Sequence, residues 1–255
     1  MSRTPRLPTP FRLVALERCA STNEEAKALA AKGAEDGTLV WAREQTAGRG
    51  RRGRHWHSPP GNLYFSLLVR PRVSLAEAAC LGIVSALAVS EALVALLPAA
   101  AEVRCKWPND VLVGGRKLAG ILLESGMAQA GRPAWLVIGV GVNIASHPSS
   151  AAFPASSLAA EGGAAHSPEA VLERVAAALA AWLARWRREG FQPAREAWLA
   201  RAWRRGEIIE LGLEHETLAG RFEGLDAAGA LLLALADGRH RRIAAGDVMG
   251  RSVQA

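Results

Sequence analysis

Residues 48–54 constrain the fold of this chain most strongly, because they read Gly-Arg-Gly-Arg-Arg-Gly-Arg. They follow one apparent strand at 39–45 and precede another at 62–69, so we expect an irregular connection between two strands. Glycine lets backbone N–H groups approach a ligand closely, and arginine supplies permanent, planar donors for carboxylate and phosphate groups. The segment therefore predicts a loop that holds either a small anion or the backbone of a nucleic acid.

The composition is that of a globular protein with a sizeable core. Of 255 residues, 50% are hydrophobic and 22% are charged, and the formal net charge is +7. A chain of that length accommodates one large domain and one small one. The positive charge favours anionic ligands, but arginines lie throughout the chain, so the charge by itself does not predict nucleic-acid binding.

Cysteine use and the N-terminus predict a cytoplasmic protein with no membrane association. The three cysteines form no CxxC pair, which is typical of buried thiols in a reducing compartment. Residues 1–10 contain three prolines and no apolar run, so we expect no signal peptide. The longest apolar stretch, 81–101, contains Glu91 and two serines, and we expect a buried, alanine-rich helix there.

Hydrophobic periodicity and cap residues predict an α+β fold with a mixed sheet. Helices are expected at 21–32, 74–97, 167–189 and 193–205, with Ser74 and Ser167 as N-caps. Strands are expected at 39–45, 62–69, 102–107, 111–113, 117–124 and 135–143, with a two-residue hairpin at Gly114-Gly115. Residues 144–167 lack periodicity, which is typical of a functional or mobile loop.

The pattern changes after Arg205. Short apolar segments at 208–211, 217–225, 231–235 and 239–243 are separated by glycine-containing turns. We therefore predict a domain boundary near this point, with a first domain at residues 1–205 and a second at 206–255. The second domain is expected to be a small β-barrel.

Ser21, Thr22 and Asn23 lie at the start of the first predicted helix. Ser21 with Glu24, or Thr22 with Glu25, fits a capping box, and this structural role is one interpretation. The other interpretation is that short hydroxyl and amide groups at a helix N-terminus bind a polar heterocycle. The local sequence leaves both open.

Two segments, 106–110 and 116–124, are folded against each other by the predicted hairpin. Lys117 begins an otherwise apolar strand, where a lysine is unfavourable unless it meets an anion. It fits either an anion-binding role or an exposed hairpin position. Residues 139–144 alternate glycine within a strand, which allows close approach of a ligand or another backbone. The histidines lack convincing metal-ligand spacing, so we predict no protein-held metal.

Taken together and in this order, these segments resemble biotin protein ligases. The matching residues are Ser21 to Asn23, Gln45 with 48–54, 106–110, 116–124, 139–144, 155–158 and 161–162, within about residues 12–250. The resemblance implies a mixed β-sheet catalytic domain related to class II aminoacyl-tRNA synthetases, followed by a small SH3-like barrel. Members that repress transcription carry an N-terminal winged helix-turn-helix. Since the catalytic pattern begins by Phe11, we expect a ligase-only form without DNA binding.

The resemblance also implies a reaction in two steps. The carboxylate of biotin attacks the α-phosphorus of ATP to give biotinoyl-5′-AMP and pyrophosphate, and a lysine of a biotin carboxyl carrier protein then displaces AMP. The first step brings two anions together, so fixed cations and Mg²⁺ relieve their repulsion. It needs no general base, because the carboxylate is already ionised.

The same resemblance assigns a role to each candidate site residue. Biotin binding is expected of Ser21, Thr22, Asn23, Gln45, Arg49, Gly50, Arg51 and Lys117, and ATP binding of Arg51, Arg54, Asn109, Lys117 and Asn143. The expected catalytic residues are Arg51, Lys117 and Asp110, with Asp110 orienting or deprotonating the incoming lysine. We also expect the arginine loop to be disordered until an anion offsets the repulsion among its charges.

Two other classes of protein compete with this interpretation. A lipoate ligase or octanoyltransferase shares the acyl chemistry, but its substrate requires a long apolar tunnel and no polar ureido pocket. A nucleic-acid-binding module would use the basic loop, but aromatic residues make up only 5% of the chain and no helix-turn-helix pattern is visible.

The partner is expected to be the carrier subunit of acetyl-CoA carboxylase, with other biotin-dependent enzymes as further candidates. A homodimer is left open by the sequence.

Overall fold

The computed structural model describes residues 3–126, 128–129, 131–151, 153–163 and 165–249, which form five α-helices, two large β-sheets and a third sheet of only two short strands. The helices are α1 (Thr22–Ala31), α2 (Leu75–Ala79), α3 (Leu81–Val94), α4 (Pro168–Glu189) and α5 (Gln192–Ala200). The strands are β1 (Arg12–Cys19), β2 (Thr38–Gln45), β3 (Leu63–Val69), β4 (Val103–Lys106), β5 (Asp110–Val113), β6 (Arg116–Ser125), β7 (Ala128–Gln129), β8 (Arg132–Pro133), β9 (Leu136–Val142), β10 (Ile208–Gly212), β11 (Thr217–Leu225), β12 (Leu231–Ala234), β13 (His240–Ile243) and β14 (Asp247–Val248).

The larger sheet is mixed and has the strand order β1-β2-β3-β9-β6-β5-β4. Strands β1 and β2 run parallel, and the other neighbouring pairs are antiparallel. Gly114 and Gly115 join β5 to β6 with φ of 51° and 74°, which confirms the predicted two-residue hairpin. Strand β1 was not predicted, because charged residues at this exposed sheet edge obscure its alternation.

Helices cover both faces of the larger sheet. On one face, α1 packs Ala26 and Ala30 against it. On the other face, α3, α4 and α5 contribute to the main hydrophobic core. Successive side chains of β2 point to opposite faces of the sheet. Leu39 and Trp41 enter the main core, and Val40 between them packs beneath α1.

The long apolar helix predicted at 74–97 is divided into α2 and α3 at Cys80. Ser74 forms the N-terminal capping box of α2 with Glu77, as its position predicted. Around Cys80 the backbone donates to the third preceding carbonyl, and this tighter turn separates the two helices. The segment Leu75–Val94 is long and apolar enough to cross a membrane, but 78% of its most apolar window is buried in the fold.

The C-terminal part forms an antiparallel sheet with the order β13-β12-β11-β10-β14. Its apolar side chains continue the main core, and Trp198 of α5 meets Phe222 edge to face at 6.5 Å. Trp107 Nε1 donates to Gly229 O at 3.1 Å and adds a second link between the two sheets. Helix α5 ends at Ala200, earlier than predicted, and the predicted second domain includes residues 250–255, which lie outside the described part.

Candidate active site

A cavity of about 640 Å³ lies on the face of the larger sheet that carries α1. One wall of the cavity follows β9, because alternate residues of a strand face the same side of the sheet. Along this wall lie Gly139, Gly141 and, just after the strand, Asn143. Four residues of strand span about 13 Å, so the cavity has two separate ends. All predicted site residues line this cavity: Ser21, Thr22, Asn23, Gln45, Arg49, Gly50, Arg51, Arg54, Asn109, Asp110, Lys117 and Asn143.

The end nearest α1 is lined by uncharged hydrogen-bonding groups. Ser21 is the N-cap residue of α1, but no side-chain cap bond is made, so the capping-box interpretation is wrong. Thr22 instead donates through its backbone N–H and its hydroxyl to Gln45 Oε1, at 2.8 and 3.1 Å. Gln45 Nε2 donates in turn to Ser58 Oγ at 3.0 Å. These bonds orient the Gln45 amide at the cavity wall.

Asn23 is held through both atoms of its amide. Ser66 Oγ lies 2.5 Å from Asn23 Oδ1, and Asn23 Nδ2 donates to Glu124 Oε2 at 2.7 Å. Burial would raise the pKa of Glu124, but hydrogen bonds from Lys27 and Asn23 outweigh it, and the pKa is lowered. A Cβ on Gly139 would lie 2.1 Å from Asn23 Oδ1. The group that approaches Gly139 closely is thus a side chain, and the predicted approach of a ligand to these glycines stays a prediction.

The arginine loop at 48–54 folds back on itself between β2 and β3. Arg49 and His55 form an isolated antiparallel bridge across it. Gly48 is required at its base, because a Cβ there would lie 2.4 Å from Ser58 Oγ. These contacts give the loop a defined conformation, and its expected disorder without ligand stays a prediction.

Each arginine of this loop faces a carboxylate. Arg49 Nη1 lies 3.2 Å from Glu24 Oε1. The other three meet Asp247 of β14: Arg51 Nη1 is 2.9 Å from Oδ1, and Arg52 Nη1 and Arg54 Nη2 are 3.5 and 3.0 Å from Oδ2. One carboxylate among three guanidinium groups leaves excess positive charge, which favours a polyanionic ligand.

Asp110 lies between two lysines. Lys117 Nζ is 2.6 Å from Asp110 Oδ1, and Lys106 Nζ is 3.2 Å from Oδ2. Burial would raise the pKa of the Asp110 carboxyl, but the two ammonium groups outweigh it and hold the pKa below its usual value. Lys117 Nζ also lies 5.3 Å from the centre of the Trp56 ring. Lys117 is therefore part of the cavity, and the exposed-hairpin interpretation is wrong.

Asn109 and Asn143 lie towards the cationic end of the cavity. Asn109 Oδ1 accepts from Arg51 Nη1 at 3.5 Å, and Asn143 Nδ2 donates to Ser156 O at 2.9 Å. The backbone N–H of Ser156 donates to Lys117 O at 2.9 Å. These bonds tie the aperiodic segment after β9 to the sheet, where it forms one wall of the cavity.

Family models and known proteins provide the assignment. Residues 15–143 match the Biotin/lipoate A/B protein ligase family, and residues 206–249 match the Biotin protein ligase C terminal domain. A biotin–acetyl-CoA-carboxylase ligase from Paracoccus denitrificans is 46% identical over 223 residues, covering 86% of this chain and 92% of that relative. The chain belongs to the biotin protein ligase family. The predicted resemblance is confirmed, and the second model and the Paracoccus relative decide between biotin and lipoate enzymes.

Solved structures of biotin protein ligases share this fold. The enzyme from Aquifex aeolicus in complex with biotin and ATP has a TM-score of 0.77 at 29% identity, covering 93% of this chain and 97% of its own. The enzyme from Leishmania major in complex with biotinyl-5-AMP has a TM-score of 0.66 at 25% identity, covering 93% of this chain and all of its own. The mixed α+β architecture with a C-terminal antiparallel sheet is therefore that of the family.

Sequence reasoning missed several residues that build this site. Ser66 carried a signal, since it is a polar residue in β3, where every residue is buried. No signal in the sequence pointed to Asp247, because Asp247 lies 193 residues after Arg54 and 196 residues after Arg51. In the described residues, no group of three or more His, Cys, Asp or Glu is placed to hold a metal ion.

Proposed function

We propose that this chain joins biotin to AMP in the cavity and then transfers the biotinoyl group to a carrier protein. The observation that carries the proposal is the division of the cavity into two chemically different ends. One end offers mainly uncharged hydrogen-bonding groups, with Arg49 of the loop beside Glu24 of α1, and the other end offers Lys117, Arg51 and Arg54. Biotin has the same division, because its ureido ring is polar and neutral and its carboxylate must meet the α-phosphate of ATP.

The uncharged end is assigned to the ureido ring. A ureido group carries one carbonyl acceptor and two N–H donors, and it needs partners for each when it leaves water. The side chains of Ser21, Thr22, Asn23 and Gln45 offer hydroxyl and amide groups of both kinds. Because Asn23 and Gln45 are already held by protein hydrogen bonds, little side-chain freedom is lost when the ring binds.

The first step is assigned to the cationic end. An oxygen of the biotin carboxylate forms a bond to the α-phosphorus, and the bond to the bridging oxygen breaks and releases pyrophosphate. The main barrier is repulsion between two anions, which fixed positive charge lowers. Lys106, Asp110 and Lys117 together carry two positive charges and one negative charge, so the cluster keeps a net positive charge for the reacting oxygens. Arg51 is assigned to the same oxygens from the loop side.

The nucleotide is assigned to Arg51, Arg54, Asn109, Lys117 and Asn143. The phosphates lie towards the two arginines, and the two asparagines line the nucleotide side of the cavity. Asp110 and Asp247 are both paired with cations, and the described residues offer no carboxylate cluster for a metal. When Mg²⁺ accompanies the nucleotide, it would offset part of the phosphate charge.

The second step requires a neutral amine on the carrier lysine, whose ordinary pKa is about 10.4. Cationic neighbours at the site lower the pKa of an incoming amine and so favour its reactive form. Asp110 has a lowered pKa and is paired with two lysines, which makes it a weak base. This argues against Asp110 as the group that deprotonates the incoming lysine, and its predicted role in orienting that lysine stays a prediction. The ion pair supports a further role for Asp110, which is to hold Lys117 in place.

The remaining assignments of this proposal go beyond the comparisons. The proposed protein substrate is the carrier subunit of acetyl-CoA carboxylase, by analogy with the Paracoccus relative. Six expectations from the sequence stay predictions: the relation to class II aminoacyl-tRNA synthetases, the SH3-like barrel, the domain limits 1–205 and 206–255, a homodimer, the cytoplasmic location and the absence of DNA binding.

The test is biotin-dependent exchange of labelled pyrophosphate into ATP, with the purified chain, Mg²⁺ and no carrier protein. We expect exchange with biotin and none with lipoate or octanoate. Absence of exchange with all three acids, from protein that is folded by circular dichroism, would refute the proposal. Salt-sensitive retention on heparin without exchange would instead favour a nucleic-acid-binding function.

A further inference from the structure

The C-terminal sheet contributes one side chain to the surroundings of the arginine loop. Asp247 begins β14, and its two carboxylate oxygens contact Arg51, Arg52 and Arg54 within 3.5 Å. The carbonyl of the preceding residue, Gly246, accepts a further bond from Arg51 Nη1 at 3.0 Å. The loop is thus attached to an element that the sequence analysis gave no role in the reaction.

Asp247 lies on the more rigid side of this contact. It pairs with Gly212 of β10, and the residue after it, Val248, is buried in the core. Gly246 packs so closely that a Cβ there would lie 2.9 Å from Leu213 Cδ2. The arginines, in contrast, lie in a glycine-rich loop that pairs with itself by an isolated bridge. The carboxylate therefore fixes the arginines, because a strand in a sheet moves less than such a loop.

The charge balance leaves the arginines able to bind a ligand while they contact Asp247. One carboxylate neutralises only one of three guanidinium charges. Among the described residues, every hydrogen bond from the Arg51 side chain uses Nη1, to Asn109, Gly246 and Asp247. The remaining donors of this planar group keep their fixed geometry for phosphate oxygens.

We infer that Asp247 is a positioning residue for the nucleotide, which holds Arg51 and Arg54 over the cationic end of the cavity. The inference rests on the proposed assignment of these two arginines to the phosphates of ATP. It makes the C-terminal sheet a determinant of nucleotide affinity in the first step. A different role, in which Asp247 occupies the arginines and competes with phosphate, predicts the opposite change when the carboxylate is removed.

The experiment compares three full-length variants with the wild-type chain. Asp247→Asn removes the charge and keeps the shape, and Asp247→Glu keeps the carboxylate. Asp237→Asn is the matched control, because Asp237 lies in the same C-terminal part and pairs with Arg239 at 2.7 Å, on an exposed turn. KM values for ATP and for biotin are measured separately by pyrophosphate exchange.

We expect Asp247→Asn to raise the KM for ATP about tenfold and the KM for biotin by less, because Arg54 is assigned to ATP alone and Arg51 to both substrates. Asp247→Glu should lie between Asp247→Asn and wild type, and Asp237→Asn should match wild type. Trypsin should also cleave the loop faster in Asp247→Asn than in wild type when no ligand is present, because the arginines are released.

A lower or unchanged KM for ATP in Asp247→Asn would overturn the inference. So would equal increases in both KM values, since a merely structural role would affect both substrates alike. Failure of the proposed function has a different signature, because wild type itself would then show no biotin-dependent exchange.

Discussion

Replacing Lys117 with alanine tests the charge that the first step requires. Lys117 Nζ approaches a carboxylate oxygen of Asp110 to 2.6 Å, so it can approach a reacting oxygen equally closely. At that distance and an effective dielectric constant of about 20, a full charge pair is worth about 6.4 kcal/mol. If about half a unit of negative charge develops on the oxygen, the loss is about 3.2 kcal/mol, or about 200-fold in rate.

The assay is the initial rate of biotin-dependent pyrophosphate exchange at saturating ATP and biotin. Lys32→Ala removes the same charge from an exposed position after α1 and should stay within about twofold of wild type. Lys117→Arg keeps the charge and should lose less activity than Lys117→Ala.

Stability must be measured in parallel, because Lys117 also neutralises Asp110. Lys106 Nζ lies 3.2 Å from Asp110 Oδ2, so we expect the carboxylate to keep this partner in the variant. We expect a loss of about 2 kcal/mol in the free energy of unfolding, or roughly 4–8 °C in Tm. Exchange by a folded Lys117→Ala protein within about fivefold of wild type would refute the electrostatic role.

Three further predictions follow from the same geometry. Ser66→Ala removes the hydroxyl that lies 2.5 Å from Asn23 Oδ1 and should raise the KM for biotin about tenfold. The control is Ser85→Ala, because Ser85 is also a buried serine but its Oγ has no hydrogen-bond partner among the described residues. This control should leave the KM for biotin unchanged. Equal KM values in the two variants would contradict this role of Ser66. Gly139→Ala places a Cβ 2.1 Å from Asn23 Oδ1, so its KM for biotin should rise more than its KM for ATP, and the reverse order would argue against the assignment of that end. Folding lowers the pKa of Asp110 below its usual 3.8. The ionised carboxylate therefore stabilises the folded state fully above pH 3.8, and this stabilisation is lost as the pH falls through the folded-state pKa. Thermal unfolding between about pH 6 and pH 2 should therefore show a steeper loss of stability for wild type than for Asp110→Asn, and parallel curves would disprove the stabilising contact.

Local patterns predicted the parts of the fold that depend on residues close in sequence. The glycine pair at 114–115, the cap at Ser74 and the alternation of β9 were all read correctly, because each reflects a turn, a helix end or a strand face. The edge strand β1 was missed because its charged residues obscure the alternation, and the division of the apolar helix at Cys80 was missed because no proline interrupts the apolar run there.

The candidate site shows the same limit. Motif order indicated which residues belong to the cavity, and the structure brings all of them to it. Patterns did not decide between two roles for Ser21 to Asn23 or for Lys117, because an N-cap serine and a hairpin lysine look alike whether or not a cavity adjoins them. The absence of a side-chain cap bond at Ser21 and the ion pair of Lys117 with Asp110 exclude the cap and exposed-hairpin interpretations, and the binding roles stay predictions.

The sequence by itself determined the fold class, from local periodicity, and the resemblance to biotin protein ligases, from motif order. That resemblance implied twelve of the residues that line the cavity. Only the tertiary structure decided that Ser66 and Glu124 hold Asn23 and that Asp247 meets three loop arginines. The physical reason is that ion pairs and hydrogen bonds depend on distance in space. Folding brings a C-terminal carboxylate to within 3 Å of Arg51, 196 residues earlier in the chain.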